Sequence, residues 1–241
     1  MKRTLLVAAV LLVAASAPAS ASEQIQGYFT DLTVNTDSTL SVVETIDYDF
    51  GGESRHGIYR DIAKVSPNGP TLVITDVRAS ADGGSVGVSL ENSKAVLRIR
   101  LGDPERTIIG RHRYVIAYTA HNAIRYFSDS DELYWNAISH EFDVPINRAQ
   151  AKLSMPDTGG AQLREPDCYL GLSGTSSREP CTRSSAAGGS IMFDAARPLS
   201  AGEGMSISST LPAGYIVRVA PKKESFPGLD PVAFVVLGGI G

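Results

Sequence analysis

The sequence predicts an all-β fold, specifically an antiparallel β-sandwich, on three observations. Apolar and polar residues alternate with period two in segment after segment. Turn residues punctuate these segments at intervals of about 10 residues, and beyond the first 21 residues no amphipathic helical stretch of 12 residues occurs.

Leu40, Val42, Ile46, Tyr48 and Phe50 alternate with Ser41, Thr45, Asp47 and Asp49. Successive side chains of a strand point to opposite faces, so this pattern describes a strand buried on one side. Val86, Val88 and Leu90 repeat it after the turn Asp82-Gly83-Gly84, and Leu97, Ile99 and Leu101 do so against Arg98 and Arg100. Tyr114, Ile116 and Tyr118 follow, and then Ala149, Ala151, Leu153 and Met155, a run closed by Pro156. Met205, Ile207, Ser209 and Leu211 form the last. Between them lie Asp37-Ser38, Gly51-Gly52, Asn68-Gly69-Pro70, Gly102-Asp103-Pro104, Gly188-Gly189 and Gly202-Glu203-Gly204, residues that favour turns.

The ends of the chain carry different signals. Met1-Lys2-Arg3, the apolar run Leu5 to Ala15 and the small residues Ala19-Ser20-Ala21 form an export signal, with cleavage expected before Ser22. The alternative, an N-terminal membrane anchor, needs roughly 20 apolar residues, more than this run supplies. At the other end, residues 221–231 carry Lys222, Lys223, Glu224, Pro227 and Pro231 and are expected to be a polar linker after a domain spanning 22–220. Residues 232–241 contain no polar side chain. As a helix they would reach about 15 Å, half of a bilayer core, so they read either as the start of a transmembrane helix or as a C-terminal strand.

Loss of residues 1–21 would remove Lys2 and Arg3 and take the net charge from −4 to about −6. Such a chain lacks the basic footprint of a nucleic-acid binder, and no nucleic-acid partner is expected. The lone cysteines, Cys168 and Cys181, flank a Gly- and Ser-rich interval and, in an exported chain, are expected to form a disulfide. No CxxC spacing or neighbouring histidine supports a metal site there.

Gly171-Leu172-Ser173-Gly174 lacks the spacing of a GxSxG elbow, and there is no SxxK, HExxH, P-loop or GxGxxG, so no catalytic residue, metal ligand or cofactor is assigned. His56, His112, His121 and His140 are expected to be exposed, and Asp129-Ser130-Asp131-Glu132 to be a solvated loop without the EF-hand glycine. Trp135 reads as a core residue or a ligand platform. Glu44 stands out because it falls on the apolar face of its segment, between Val42 and Ile46. A buried carboxylate needs a partner, and the stretch Arg55 to Ile62, returning past Gly51-Gly52 beside its own strand, offers Arg60 first and Arg55 second. Glu44 and Arg60 are therefore a candidate buried ion pair; the competing reading makes Glu44 a binding or catalytic carboxylate in a cleft.

Five stretches, taken in order, resemble a known family. They are Ser41-Val42-Val43-Glu44-Thr45-Ile46, His56-Gly57-Ile58-Tyr59-Arg60-Asp61-Ile62 and Arg98-Ile99-Arg100-Leu101-Gly102-Asp103-Pro104, then Gly110 to Tyr118 and Asp131-Glu132-Leu133-Tyr134-Trp135-Asn136. The set is similar to the predicted membrane proteins catalogued as domain of unknown function 2207, over roughly residues 24–240. The resemblance implies an exported β domain followed by a transmembrane helix, which favours the membrane reading of 232–241 and makes the chain look like a fragment. It implies a cell-membrane location with the β domain on the extracytoplasmic side, and it transfers no catalytic residue. Two functions are consistent with these observations: a non-catalytic binding or assembly module with an unknown protein or envelope partner, or an envelope-directed hydrolase using Glu44 and a second carboxylate.

Overall fold

The computed structural model describes residues 22–65, 69–155, 163–175 and 179–224. The expected signal peptide, residues 225–231 of the expected linker and the apolar tail lie outside them. Strands account for nearly all regular structure. The first half of the chain forms β1 (Gln24–Val34), β2 (Leu40–Asp49), β3 (Gly57–Ala63), β4 (Val73–Ala81), β5 (Gly84–Ser85), β6 (Val88–Asn92), β7 (Val96–Gly102) and β8 (Arg111–His121). The second half forms β9 (Ile124–Tyr126), β10 (Ser130–Ile138), β11 (Ala149–Ser154), β12 (Arg164–Leu172), β13 (Glu179–Pro180), β14 (Thr182–Ser185), β15 (Ile191–Asp194) and β16 (Glu203–Pro212). Among the described residues a single 3-10 turn, Ala187–Gly189, interrupts them.

An eight-stranded sheet has the order β14-β15-β11-β1-β2-β8-β4-β5, a five-stranded sheet β13-β12-β16-β10-β9, and a three-stranded sheet β3-β7-β6. The protein is all-β but not purely antiparallel, since β1 and β11 run parallel with Tyr28 opposite Ala149 and Leu32 opposite Leu153. A parallel pair needs a long connection, and the chain between these strands supplies one by passing through both other sheets. Strand periodicity says nothing about the direction of a partner, so the sequence could not show it.

The apolar faces of the three sheets meet in one cluster. Tyr28, Leu32, Ile46 and Ile116 come from the eight-stranded sheet, Leu133, Trp135 and Ile207 from the five-stranded, and Ile58, Ile99 and Leu101 from the three-stranded. Each such side chain contributes about 1.5–3 kcal/mol relative to exposure. A polar tie crosses the interface too: the buried Thr30 hydroxyl donates to the Ala137 carbonyl at 2.6 Å.

Three expectations need correction. The alternation at Val88 and Leu90 does not face the core; these residues are 42% and 49% exposed, because β6 is the outer strand of its sheet. Of Asp129 to Glu132 only Asp129 lies in an exposed loop: β10 begins at Ser130, and Asp131 is fully buried with Arg218 Nη2 at 2.6 Å. The chain after Gly51-Gly52 does not return beside β2. It forms β3, pairs with β7 in another sheet, and faces β2 across the core.

Candidate functional site

Glu44 occupies the middle of β2, which lies between β1 and β8. Its carboxylate is fully buried, and both oxygens are engaged. Oε2 accepts from the Tyr28 hydroxyl at 2.8 Å and from Arg60 Nε at 2.6 Å. Oε1 accepts from Arg60 Nη2 at 2.8 Å and from the Tyr118 hydroxyl at 2.7 Å. Tyr28 and Tyr118 reach it from the strands on either side, each two residues along from Glu44 in the register. Arg60 enters from the facing sheet, 3% exposed, and its Nη1 donates to the Asp61 carbonyl and to Ser139 Oγ. The planar guanidinium fork suits this double grip, and the bonds to two phenols compensate for the desolvation of the carboxylate.

Burial is the largest influence on Arg60 and opposes its charge, but the Glu44 carboxylate together with Tyr28 and Tyr118 outweighs it and holds the guanidinium more basic than usual. Burial, with the neighbouring Glu44 charge, pushes the Tyr28 and Tyr118 hydroxyls well above the ordinary phenol range, so both remain donors. The cluster is thus charge-paired and saturated. Glu44 has no oxygen to offer a substrate, and every group bonded to it is a donor rather than a second carboxylate.

Beside the cluster runs a cleft. β3 pairs with β7 on one side only, and its other edge borders two hollows that meet at Asp61, Ser139 and Glu141. One follows Gly57 to Tyr59; the other, of about 160 Å³, follows Arg60 to Ala63 and reaches Leu72, Arg125, Trp135 and His140. Its far wall is the edge of β10. There β9 pairs only as far as Leu133, which leaves Tyr134 to Asn136 beyond its reach. Two buried donors of this wall, Trp135 Nε1 and Arg125 Nε, have no hydrogen-bond partner among the described residues. Burial and then the Arg60 charge lower the pKa of His140, so its ring is neutral near neutral pH.

A family model described as the N-terminal domain of a predicted membrane protein (DUF2207) matches residues 24–211. The chain belongs to this family. No curated protein matches it. Among solved structures, native yeast LTA4 hydrolase is 12% identical, with a TM-score of 0.47 over 78% of this chain and 29% of that one. An M1 zinc metallopeptidase from Deinococcus radiodurans is 13% identical, with a TM-score of 0.40 over 77% and 42%. The DUF2207 chain spans less than half the length of either, and likenesses at this level carry no argument about activity.

The DUF2207 domain brings Glu44 and Arg60 together, whereas Arg55 is directed away and pairs with Glu23 at 2.7 Å. Cys168 and Cys181 are joined by a disulfide with Cα atoms 5.7 Å apart. The four histidines are dispersed, and among the described residues no group of three or more His, Cys, Asp or Glu could hold a metal ion. His112, His121 and His140 are half-buried rather than exposed, His140 being enclosed by the cleft. Sequence reasoning missed Tyr28 because β1 carries a bulge between Ile25 and Gly27, which breaks the alternation of Ile25 with Tyr28, Thr30 and Leu32. Tyr118 was visible as a strand residue, but nothing in sequence places it beside Glu44. Arg125 and the β10 edge had no signal, since an unpaired edge is a property of topology.

Proposed function

We propose that this chain is the extracytoplasmic β-sandwich of a membrane protein and that it binds or assembles with a partner rather than performing catalysis. The single observation that carries this reading is the division between cluster and cleft. The buried Glu44, Arg60, Tyr28 and Tyr118 saturate one another, whereas the adjoining cleft keeps two donors without a partner among the described residues. Active sites present perturbed groups to substrate; a paired and enclosed carboxylate serves the fold instead. The sandwich reading is supported by the way the eight-stranded sheet meets the other two through shared apolar side chains. The extracytoplasmic reading is supported by the export signal of residues 1–21, and attachment by the apolar segment 232–241 together with the family description.

An epitope inserted in the exposed Asp82-Gly83 turn tests the topology. On cells with an intact cytoplasmic membrane, an impermeant antibody should reach the epitope, and the protein should sediment with membranes. Access only after lysis of that membrane would overturn the placement.

A further inference from the structure

We propose that the cleft beside β3 takes an extended peptide, which adds as a strand to the free edge of β3 and turns acceptor groups toward Trp135 and Arg125. This deepens the binding reading above and rests on it.

The first support is the edge itself. Asp103 N donates to the His56 carbonyl and Lys64 N to the Ala95 carbonyl, which fixes the phase of the β3–β7 ladder. Even-numbered residues of β3 direct their amides and carbonyls at β7. Gly57, Tyr59, Asp61 and Ala63 therefore direct theirs away from it, and among the described residues no backbone group pairs with them. The Asp61 carbonyl receives only the Arg60 guanidinium. Edge strands are ordinarily protected by a proline, a bulge or a covering segment. β3 has no proline, and its ladder with β7 has no register shift.

The second support is length. The two hollows together border β3 from Gly57 to Ala63, the whole seven-residue strand, and a strand of that length extends about 23 Å. A small ligand would fill one hollow and leave half the edge unpaired. A peptide presents alternating donors and acceptors at the spacing the edge demands, which is how strand addition obtains affinity.

The third support is the far wall. The indole N–H and guanidinium N–H can only donate, and a buried donor left unpaired costs about 1–3 kcal/mol. Trp135 is 4% exposed and its Nε1 has no partner among the described residues; Arg125 engages Glu132 through Nη2, and its Nε likewise has none among them. The outward carbonyls of an added strand, or one acidic side chain on it, would satisfy both. Ile62, Ala63, Leu72 and Ala123 provide apolar contact for its other side chains.

Trp135 is the only tryptophan of the chain, so its indole cross-peak in a nitrogen-15 correlation spectrum reports on the cleft without ambiguity. The full exported chain is titrated with acetylated and amidated octapeptide pools, each fixed at one position and random elsewhere. At least one pool should shift the indole peak and slow amide exchange at Tyr59, Asp61 and Ala63 by roughly tenfold or more. The selected peptide, N-methylated at alternate backbone nitrogens, should lose that effect. The proposal is overturned if no pool moves the indole, if acetate alone moves it equally, or if the indole moves without slowed exchange along β3. Mass analysis of the pools separates the two levels of inference: cleaved peptides would overturn the non-catalytic reading, whereas intact pools with an unmoved indole overturn only the peptide proposal.

Discussion

Gly57 and Gly102 stand directly opposite one another at the start of the β3–β7 ladder, and each approaches the other's chain too closely for a side chain. A Cβ on Gly57 would overlap the Leu101 carbonyl, and one on Gly102 would overlap the His56 carbonyl. Both residues also adopt positive φ, +132° and +146°, which disfavours any side chain. This close crossing begins the strand that delivers Arg60 to Glu44 three residues later.

Gly57→Ala and Gly102→Ala should therefore each destabilise by more than about 3 kcal/mol, since backbone would have to move in both strands. Gly83→Ala is the control: its φ is +76°, but no atom lies within 4 Å of the added Cβ. It should cost only about 1–2 kcal/mol, the ordinary penalty of that conformation. Urea midpoints of the three variants decide the matter, and equal losses at Gly57 and Gly83 would contradict the crossing.

The Cys168–Cys181 bridge ties β12 to the residue between β13 and β14. Closing so short a loop should stabilise by roughly 3 kcal/mol in the chain-entropy model. Intact-mass analysis of exported protein, alkylated without reductant, should find no modified thiol, and Cys168→Ser with Cys181→Ser should lower the urea midpoint. Two alkylated cysteines in the unreduced sample would remove the bridge from the account.

The pKa of His140 is lowered in the folded protein, first by burial and then by the Arg60 charge. Below pH 6.5 the unfolded chain then binds a proton that the folded one refuses, so the unfolded state gains. The contribution of His140 to stability is complete above pH 6.5 and is lost as pH falls from there toward the folded pKa. His121, whose pKa is lowered by burial and then by Lys222, acts in the same direction. Urea midpoints should fall between pH 7.5 and pH 5, and His140→Gln should reduce that slope while His121 maintains the remainder. A slope unchanged in His140→Gln would mean that the ring titrates as freely as in the unfolded chain.

Much of the fold was legible because period two marks strands buried on one face. Leu40 to Asp49, Val96 to Gly102 and Ala149 to Ser154 occur as strands where alternation predicts them. Glu44 drew notice because it breaks the chemistry of its face without breaking its period. What sequence could not show depends on distant parts of the chain. The parallel partner of β1, the phenols of Tyr28 and Tyr118 at Glu44, and the unpaired edges of β3 and β10 all follow from which strands become neighbours. Local irregularity concealed the rest, as with the bulge in β1 and the short β9.

A double-mutant cycle on Glu44 and Arg60 tests most directly whether the buried cluster belongs to the fold and not to catalysis. Each partner is buried, so Glu44→Gln and Arg60→Met should each leave an uncompensated polar or charged group and cost about 3–5 kcal/mol. The double variant removes both charges together and should lose less than the sum, with a coupling of roughly 2 kcal/mol in urea unfolding. Additive losses, or a Glu44→Gln variant as stable as the native protein, would contradict the account and return Glu44 to the search for a catalytic carboxylate.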